Sequence, residues 1–262
     1  MDGAKWPLKL PDYRLDGKVA VITGGTKGIG YAIALMFAGF GASVVVTSRH
    51  QDQCEEVAAE IRNHGGSALG VSADVSKVAD IRRLMQTVVE QYEHLDILVN
   101  CAGIAVTKPI FEMEEEDYDR VMDTNLRSVY FASKEAAKLM AEQGTGGRII
   151  QIASIGGLKG TNQVSTYCAS KAAVLNLTKT MALEWSRYQI TTTAICPGYV
   201  KTDINAAMFD NPEFLAKALK GIPQRRLGTA EEVAAIALFL ASEYSGMISG
   251  SAVIADMGAT SL

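Results

Sequence analysis

No apolar run in this chain approaches the ~20 residues that a helix needs to cross a bilayer. The continuously hydrophobic stretches are of strand length, which argues against a helical membrane protein. Charge of one sign is lacking too. The 25 basic and 29 acidic residues leave a net charge of −4 and a pI near 5.5. That gives no electrostatic case for nucleic acid or an anionic membrane surface. Cysteines are few: Cys54, Cys101, Cys168 and Cys196 are scattered without metal-ligand spacing, so neither a disulfide framework nor a metal site is expected. The histidines His50, His64 and His94 fall in polar stretches with no triad or ligand pattern. The arm at residues 1–14 mixes charges with two prolines and lacks the apolar centre of a signal peptide. An irregular surface arm and a cytoplasmic location are expected. No repeat, low-complexity tract or linker divides the 262 residues, so one domain is expected.

What is present is alternation. Strand-like runs at Val19–Thr23, Ser43–Ser48, Ala68–Ala73, Ile97–Asn100, Arg148–Ala153, Thr191–Ile195 and Ala252–Ala255 are separated by helical patterns. Those lie near Ile29–Phe40, Gln53–Asn63, Val78–Tyr92, Tyr118–Gln143, Val164–Ser186 and Glu231–Ser242. Continuous apolar strands between helices predict an α/β fold: a seven-stranded parallel sheet, doubly wound, with helices on both faces. In such folds the ligand crevice lies at the strand C-termini. The acidic run Glu112–Asp117 fits a helix N-terminus better than a metal site, because carboxylates complement the helix dipole there.

Three local patterns carry chemistry. The first strand runs into Thr23-Gly24-Gly25-Thr26-Lys27-Gly28-Ile29-Gly30 and then an apolar helix. A glycine turn between strand and helix lets a pyrophosphate approach free backbone amides at the positive end of the dipole. Tyr167 and Lys171 stand four apart, which on a helix puts them on one face. An ammonium beside a phenol favours the phenolate and should draw Tyr167 below its reference pKa of about 10, as a general acid/base requires. Ser154 closes an apolar run, where a strand hands over to a loop and a hydroxyl can face a ligand.

Taken with Asn125, these motifs resemble the short-chain dehydrogenase/reductase family, in its compact branch, from about Leu15 to Gly258. Asp74 in Ala73-Asp74-Val75, the segment Asn100-Cys101-Ala102-Gly103, and Pro197-Gly198 followed by Val200 and Thr202 match as well. Two positions depart from the pattern: Cys101, where the family usually has Asn, and Met257, where it often has Gly. The resemblance implies a Rossmann-type fold and hydride transfer between a nicotinamide and a carbonyl or secondary alcohol carbon. It makes Tyr167 the proton donor or acceptor, Ser154 the group that holds the reacting oxygen, and Lys171 the anchor of the nicotinamide ribose. Asn125 would hold a water in a proton relay. Thr23, Gly24, Thr26, Lys27, Gly28, Ile29, Gly30, Ser48, Arg49, Val75, Ala102, Gly103 and Val200 would line the dinucleotide. Asp74 would meet the adenine, Asn100 would brace the sheet, and Pro197, Gly198 and Thr202 would border the nicotinamide.

Cofactor choice follows from the end of the second strand, Thr47-Ser48-Arg49. An acidic residue there would bind the ribose hydroxyls of NAD. It is missing, and Arg49 with Lys27 offers cations to a 2′-phosphate, so NADP(H) is expected over NAD(H). Asp52 is the nearest carboxylate and runs against this reading. The substrate is less legible. Ile104, Val106, Ile155, Lys159, Gln163, Tyr199, Met208 and Phe209 follow motif positions and could line its pocket. The segment 201–227 breaks the alternation and is expected to be a lid. A small ketone, keto-sugar or keto-acid is favoured. The alternatives are an NAD-linked polyol or sugar alcohol dehydrogenase, a 3-oxoacyl-carrier-protein reductase, or a catalytically silent dinucleotide-sensing scaffold. Carrier-protein docking is weakened by Phe131 and Leu183, where such reductases often have Arg. Finally, Val121, Met122, Val129, Phe131 and Leu139 on one helix, with Val174, Leu175, Leu177, Met181 and Trp185 on another, exceed one sheet-facing stripe. They are expected to pair in a homotetramer, the assembly that the resemblance implies.

Overall fold

Seven strands assemble in the order β3-β2-β1-β4-β5-β6-β7, every neighbouring pair parallel. They are β1 (Val19–Thr23), β2 (Ser43–Ser48), β3 (Ser67–Ser72), β4 (Ile97–Asn100), β5 (Gly147–Ile152), β6 (Ile190–Pro197) and β7 (Ala252–Ala255). The computed structural model describes residues 11–202 and 209–261. Strand residues alternate between faces, and both faces are apolar. Ala20, Ile22, Val44 and Val46 join a core on one side with Ile33, Ala34 and Phe37 of α1 (Gly28–Gly39) and Val233 and Ala237 of α8 (Ala230–Ala241). Val19, Val21, Val45 and Leu98 join a second core on the other side. There they meet Ile81, Leu84, Met85 and Val88 of α3 (Val78–Tyr92), spaced three and four apart as one helical stripe. This is the doubly wound Rossmann-type fold in a single domain.

The strand order reverses between β1 and β4, which opens a crevice at their C-terminal ends. Register brings the motif ends level there: Thr23 pairs with Asn100, and Asn100 with Gln151. The remaining helices are α2 (Gln51–Asn63), α4 (Glu115–Met122), α5 (Ser128–Gln143), α6 (Ser165–Trp185) and α7 (Pro212–Lys220). The acidic run supplies Glu115, Glu116 and Asp117 to the first turn of α4.

Two expectations need correction. The stretch predicted over Tyr118–Gln143 is helical throughout but not α-helical throughout: a π-helical turn at Asp123–Arg127 joins α4 to α5. The apolar pattern runs through this turn, so it left no mark at the level of periodicity. The supposed surplus of apolar helix residues is also smaller than expected. Val121, Val129, Val174 and Met181 are buried in the core of the single chain. The apolar residues that these helices expose are Tyr118, Tyr130 and Leu183, the last 79% accessible. Of the expected lid, residues 203–208 lie outside the described residues, Met208 among them. Its remainder contains α7, started by Asn211, whose Oδ1 accepts from the amides of Glu213 and Phe214.

Candidate active site

At one end of the crevice the glycine turn is shaped by close approach. Gly24 has φ +67°, and a Cβ on it would lie 2.9 Å from the backbone of Ala102. A Cβ on Gly30 would stand 2.2 Å from the Gly24 carbonyl oxygen, so only glycine lets α1 begin here. Glycine at these positions keeps the chain's own side chains off the first amides of α1, an arrangement that suits a pyrophosphate. A Cβ on Gly28 would touch Thr202 at 3.1 Å, so the first turn and the loop after β6 meet across that space. Thr23 fastens the third wall: its Oγ1 accepts from the amides of Cys101 and Ala102 at 3.1 and 3.2 Å. Asn100 is buried and donates to Ser133 Oγ (2.9 Å) and Gln151 Oε1 (2.8 Å), while Gln151 Nε2 donates to Ser133 Oγ (3.0 Å). This closed polar triangle braces β4 against β5 and α5.

Lys27 and Arg49 are exposed, and among the described residues neither side chain has a hydrogen bond or ion pair. Ser48 Oγ lies 3.2 Å from Cys54 Sγ and accepts from the His50 amide. Asp52 sits in the first turn of α2, where its charge complements the dipole. Lys27 also lines an open cleft of about 440 Å³ between α1 and α2, whose walls carry Tyr31, Glu56 and Glu60. Tyr31 donates to the Glu60 carboxylate at 2.8 Å. The sequence reading missed these two carboxylates, because only the packing of α2 brings them round to the glycine turn. At the same strand ends, Asp74 accepts from the amide and hydroxyl of Ser76 and pairs with Lys77 at 3.6 Å. Val75 beside it is buried.

At the other end three elements converge. Ser154 leaves β5 and caps a short 3₁₀ turn, Ile155–Gly157, its Oγ accepting from the Gly156 amide at 3.0 Å. A Cβ built on Gly156 would lie 3.4 Å from both Ser154 Oγ and the Tyr167 ring, so hydroxyl and phenol share one small space. Lys171, one turn further along α6, is 5% exposed and donates to the Ile152 carbonyl at 2.7 Å. Its ammonium lies 5.7 Å from the centre of the Tyr167 ring, and 3.5 Å from where a Cβ on Gly103 would be. The expected lowering of the tyrosine pKa is not what these surroundings produce. Burial raises the phenol above its ordinary value, and the Ser154 hydroxyl only pulls the other way. Burial also lowers Lys171 to about 8, so the same loss of water weakens the cation that was to favour the phenolate.

Asn125 is fully buried in the π-helical turn. Its Oδ1 accepts from the Ile104 amide (2.8 Å), and its Nδ2 donates to the Ile104 carbonyl (2.9 Å) and Ser170 Oγ (3.1 Å). Ser170 in turn donates to the Tyr167 carbonyl at 2.7 Å. Both amide hydrogens are thus committed. A water relay through this side chain would have only the second lone pair of Oδ1 to use. Its visible work is to tie the loop after β4 to the helix that carries Tyr167 and Lys171.

Cys101, the departure from the family pattern, lies close enough to Lys171 to feel its charge, yet burial pushes its thiol up to about 11. It stays protonated at neutral pH and carries no nucleophilic chemistry. Pro197 ends β6, Gly198 packs against Asp256, and Val200 pairs with Gly228 in an isolated bridge.

The family model described as Enoyl-(Acyl carrier protein) reductase matches residues 24–260. A short-chain type dehydrogenase/reductase from Mycobacterium marinum superposes with a TM-score of 0.91 at 38% identity, over 95% of this chain and 98% of that one. The chain belongs to the short-chain dehydrogenase/reductase family. Within the family it is similar to the 2-dehydro-3-deoxy-D-gluconate 5-dehydrogenase of Escherichia coli, 36% identical over 95% of this chain and 98% of that protein. It is likewise similar to a gluconate 5-dehydrogenase from Burkholderia cenocepacia whose structure holds NADP and tartrate. That match has a TM-score of 0.92 and 34% identity, over 96% of this chain and 98% of the other.

Proposed function

We propose that this short-chain dehydrogenase/reductase is an NADP(H)-dependent enzyme that interconverts a carbonyl and a secondary alcohol on a polyhydroxylated acid. The observation that carries the reaction type is the shared space at Gly156, where the Ser154 hydroxyl and Tyr167 phenol face one another with the Lys171 ammonium behind. Bound dinucleotide would supply or accept the hydride, and the chain's own residues would do the rest. Ser154 Oγ hydrogen-bonds the substrate oxygen. Tyr167 Oη gives that oxygen a proton in reduction and takes it back in oxidation. A phenol that burial keeps protonated suits the first of these. Lys171 Nζ, already held on Ile152, spends its remaining donors on the nicotinamide ribose. Asn125 keeps the loop after β4 and α6 in register around it.

Arg49 and Lys27 support the NADP(H) preference, being exposed cations without partners at the place a 2′-phosphate would reach. The sugar-acid class is supported by the names of the relatives above, and by Lys159 on the Ser154 loop. Exposed Tyr118, Tyr130 and Leu183 on α4, α5 and α6 support assembly through these helices into a homotetramer. Leu183 gives an acidic carrier protein no cation to dock on, which disfavours the acyl-carrier reading. The test is turnover of ketogluconates, ketoses and simple ketones with NADPH and with NADH. Reduction of simple ketones alone would overturn the substrate class, equal rates with both nucleotides would overturn the cofactor preference, and no turnover of any would restore the scaffold reading.

A further inference from the structure

The cations around the substrate side of the crevice are not equivalent. Lys108, on the loop after β4, is neutralised by Asp117. Lys201 pairs with Asp210 at 2.8 Å, and Arg226 makes two bonds to Glu232 at 2.8 and 2.7 Å. Arg225 donates to the carbonyls of Leu219 and Lys220, so its charge complements the C-terminal end of α7. Lys159 shares with Arg225 the lack of a carboxylate partner among the described residues, and differs from all four in its place. It lies on the Ser154 loop itself, its amide bonded to the Ile155 carbonyl, and its Nζ donates at 2.7 Å to a neutral acceptor, the Ala259 carbonyl.

The nearest carboxylate to influence Lys159 is Asp256, and its oxygens are already occupied. They accept from the amides of Gly258 (3.0 Å) and Thr260 (2.7 Å) and from the Thr260 hydroxyl (2.6 Å). Among the described residues no ion pair reaches Lys159. Lys159 is an exposed residue, and among the described residues its ammonium keeps two hydrogens uncommitted. Beneath it, Ile155, Ile222 and Ala259 form a small apolar cluster with Leu219, Leu227 and Met257, which begins one residue after Ser154. A substrate whose carbonyl meets Ser154 can extend along the same loop towards this positive charge.

The geometry points to Lys159 as the residue that selects a substrate carrying a carboxylate, by a charge-assisted hydrogen bond to that group. The inference rests on the oxidoreductase reading above and names the part of the substrate that the site recognises. Lys159 also straps the C-terminal turn to the Ser154 loop, so the test must separate charge from strap. Lys159→Gln keeps an N–H for the Ala259 carbonyl and removes the charge, whereas Lys159→Arg keeps both.

The measurement is kcat/KM with NADPH for 5-ketogluconate and for the ketohexose that has a hydroxymethyl group in place of the carboxylate. Wild type should prefer the acid. Lys159→Gln should lower that preference by about ten- to a hundredfold, as expected for loss of a hydrogen bond to a charged group. The loss should fall on KM more than on kcat, added salt should mimic it in wild type, and Lys159→Arg should restore most of it. An equal loss on both substrates would leave Lys159 as a strap only and overturn the inference. A preference for the acid that survives in Lys159→Gln would do the same while leaving the sugar-acid reading intact. A wild type that reduces the ketohexose and not the acid would overturn both.

Discussion

The two ends of the crevice are built on opposite plans. At the glycine turn the backbone does the holding, and the side chains that would read the cofactor, Lys27 and Arg49, stand exposed and uncommitted. At the other end the side chains are tied into the protein by hydrogen bonds. Lys171 bonds Ile152, Asn125 bonds Ile104 and Ser170, and Ser170 bonds the backbone of Tyr167. An exposed cation can be exchanged at the cost of one interaction, screened by solvent. A buried, hydrogen-bonded group cannot, because its removal strands its partners. The first end is therefore adjustable in small steps, and the second responds all at once.

Tyr167→Phe should break the comparison most sharply if it is wrong. It keeps the ring and removes the proton, so turnover should fall by about two to three orders of magnitude, while dinucleotide still binds by fluorescence titration. Near-normal turnover would remove Tyr167 from the chemistry. At the other end Arg49→Ala should only tilt a ratio. The preference in kcat/KM for NADPH over NADH should drop by about tenfold, the value of one hydrogen bond to a charged group. A collapse of activity with both nucleotides would show that the exposed end is not adjustable after all.

Lys171 offers a readout in stability. Its folded pKa is about 8, against an ordinary 10.5, because burial penalises the charged form. Below pH 8 the cofactor-free protein folds with that penalty in full. Between about pH 8 and 10.5 the folded state has released a proton that the unfolded state still binds, so stability rises with pH. In urea unfolding, wild type should gain on Lys171→Met across this window, and a pH-independent difference would mean that Lys171 is not desolvated.

The smallest effect belongs to β2. Among the described residues the buried Thr47 hydroxyl has no hydrogen-bond partner, so Thr47→Val should stabilise by about 1 kcal/mol. A lower melting temperature would mean that the hydroxyl has a partner after all.

The same contrast governs what could be read from the sequence. The glycine turn, the seven strands and the Tyr167–Lys171 spacing are local patterns, and they appear within a residue or two of where they were expected. The cleft carboxylates Glu56 and Glu60, the triangle of Asn100, Ser133 and Gln151, and the clamp of Asn125 on Ile104 are pairings across 18 or more residues. No periodicity encodes them. The direction of the Tyr167 shift was missed for a related reason. The spacing supplied a neighbouring charge, but burial, which raises the phenol, is a property of the packed chain.

The π-helical turn at Asp123–Arg127 has a consequence for how this chain tolerates change in length. Such a turn holds one residue more than an α-helix would, so α4 and α5 are out of phase by about 100°. Deleting one residue within it, other than Asn125, would remove that surplus and let a regular helix carry α5 on with its buried face still on the sheet. Closing the turn into α-helix without a deletion would instead swing the face of α5 that carries Val129, Ala132 and Ser133 away from the sheet. Ser133 would then give up its hydrogen bonds with Asn100 and Gln151 at the centre of the molecule. A change that regularises the helix without shortening it would unmake the core beneath it.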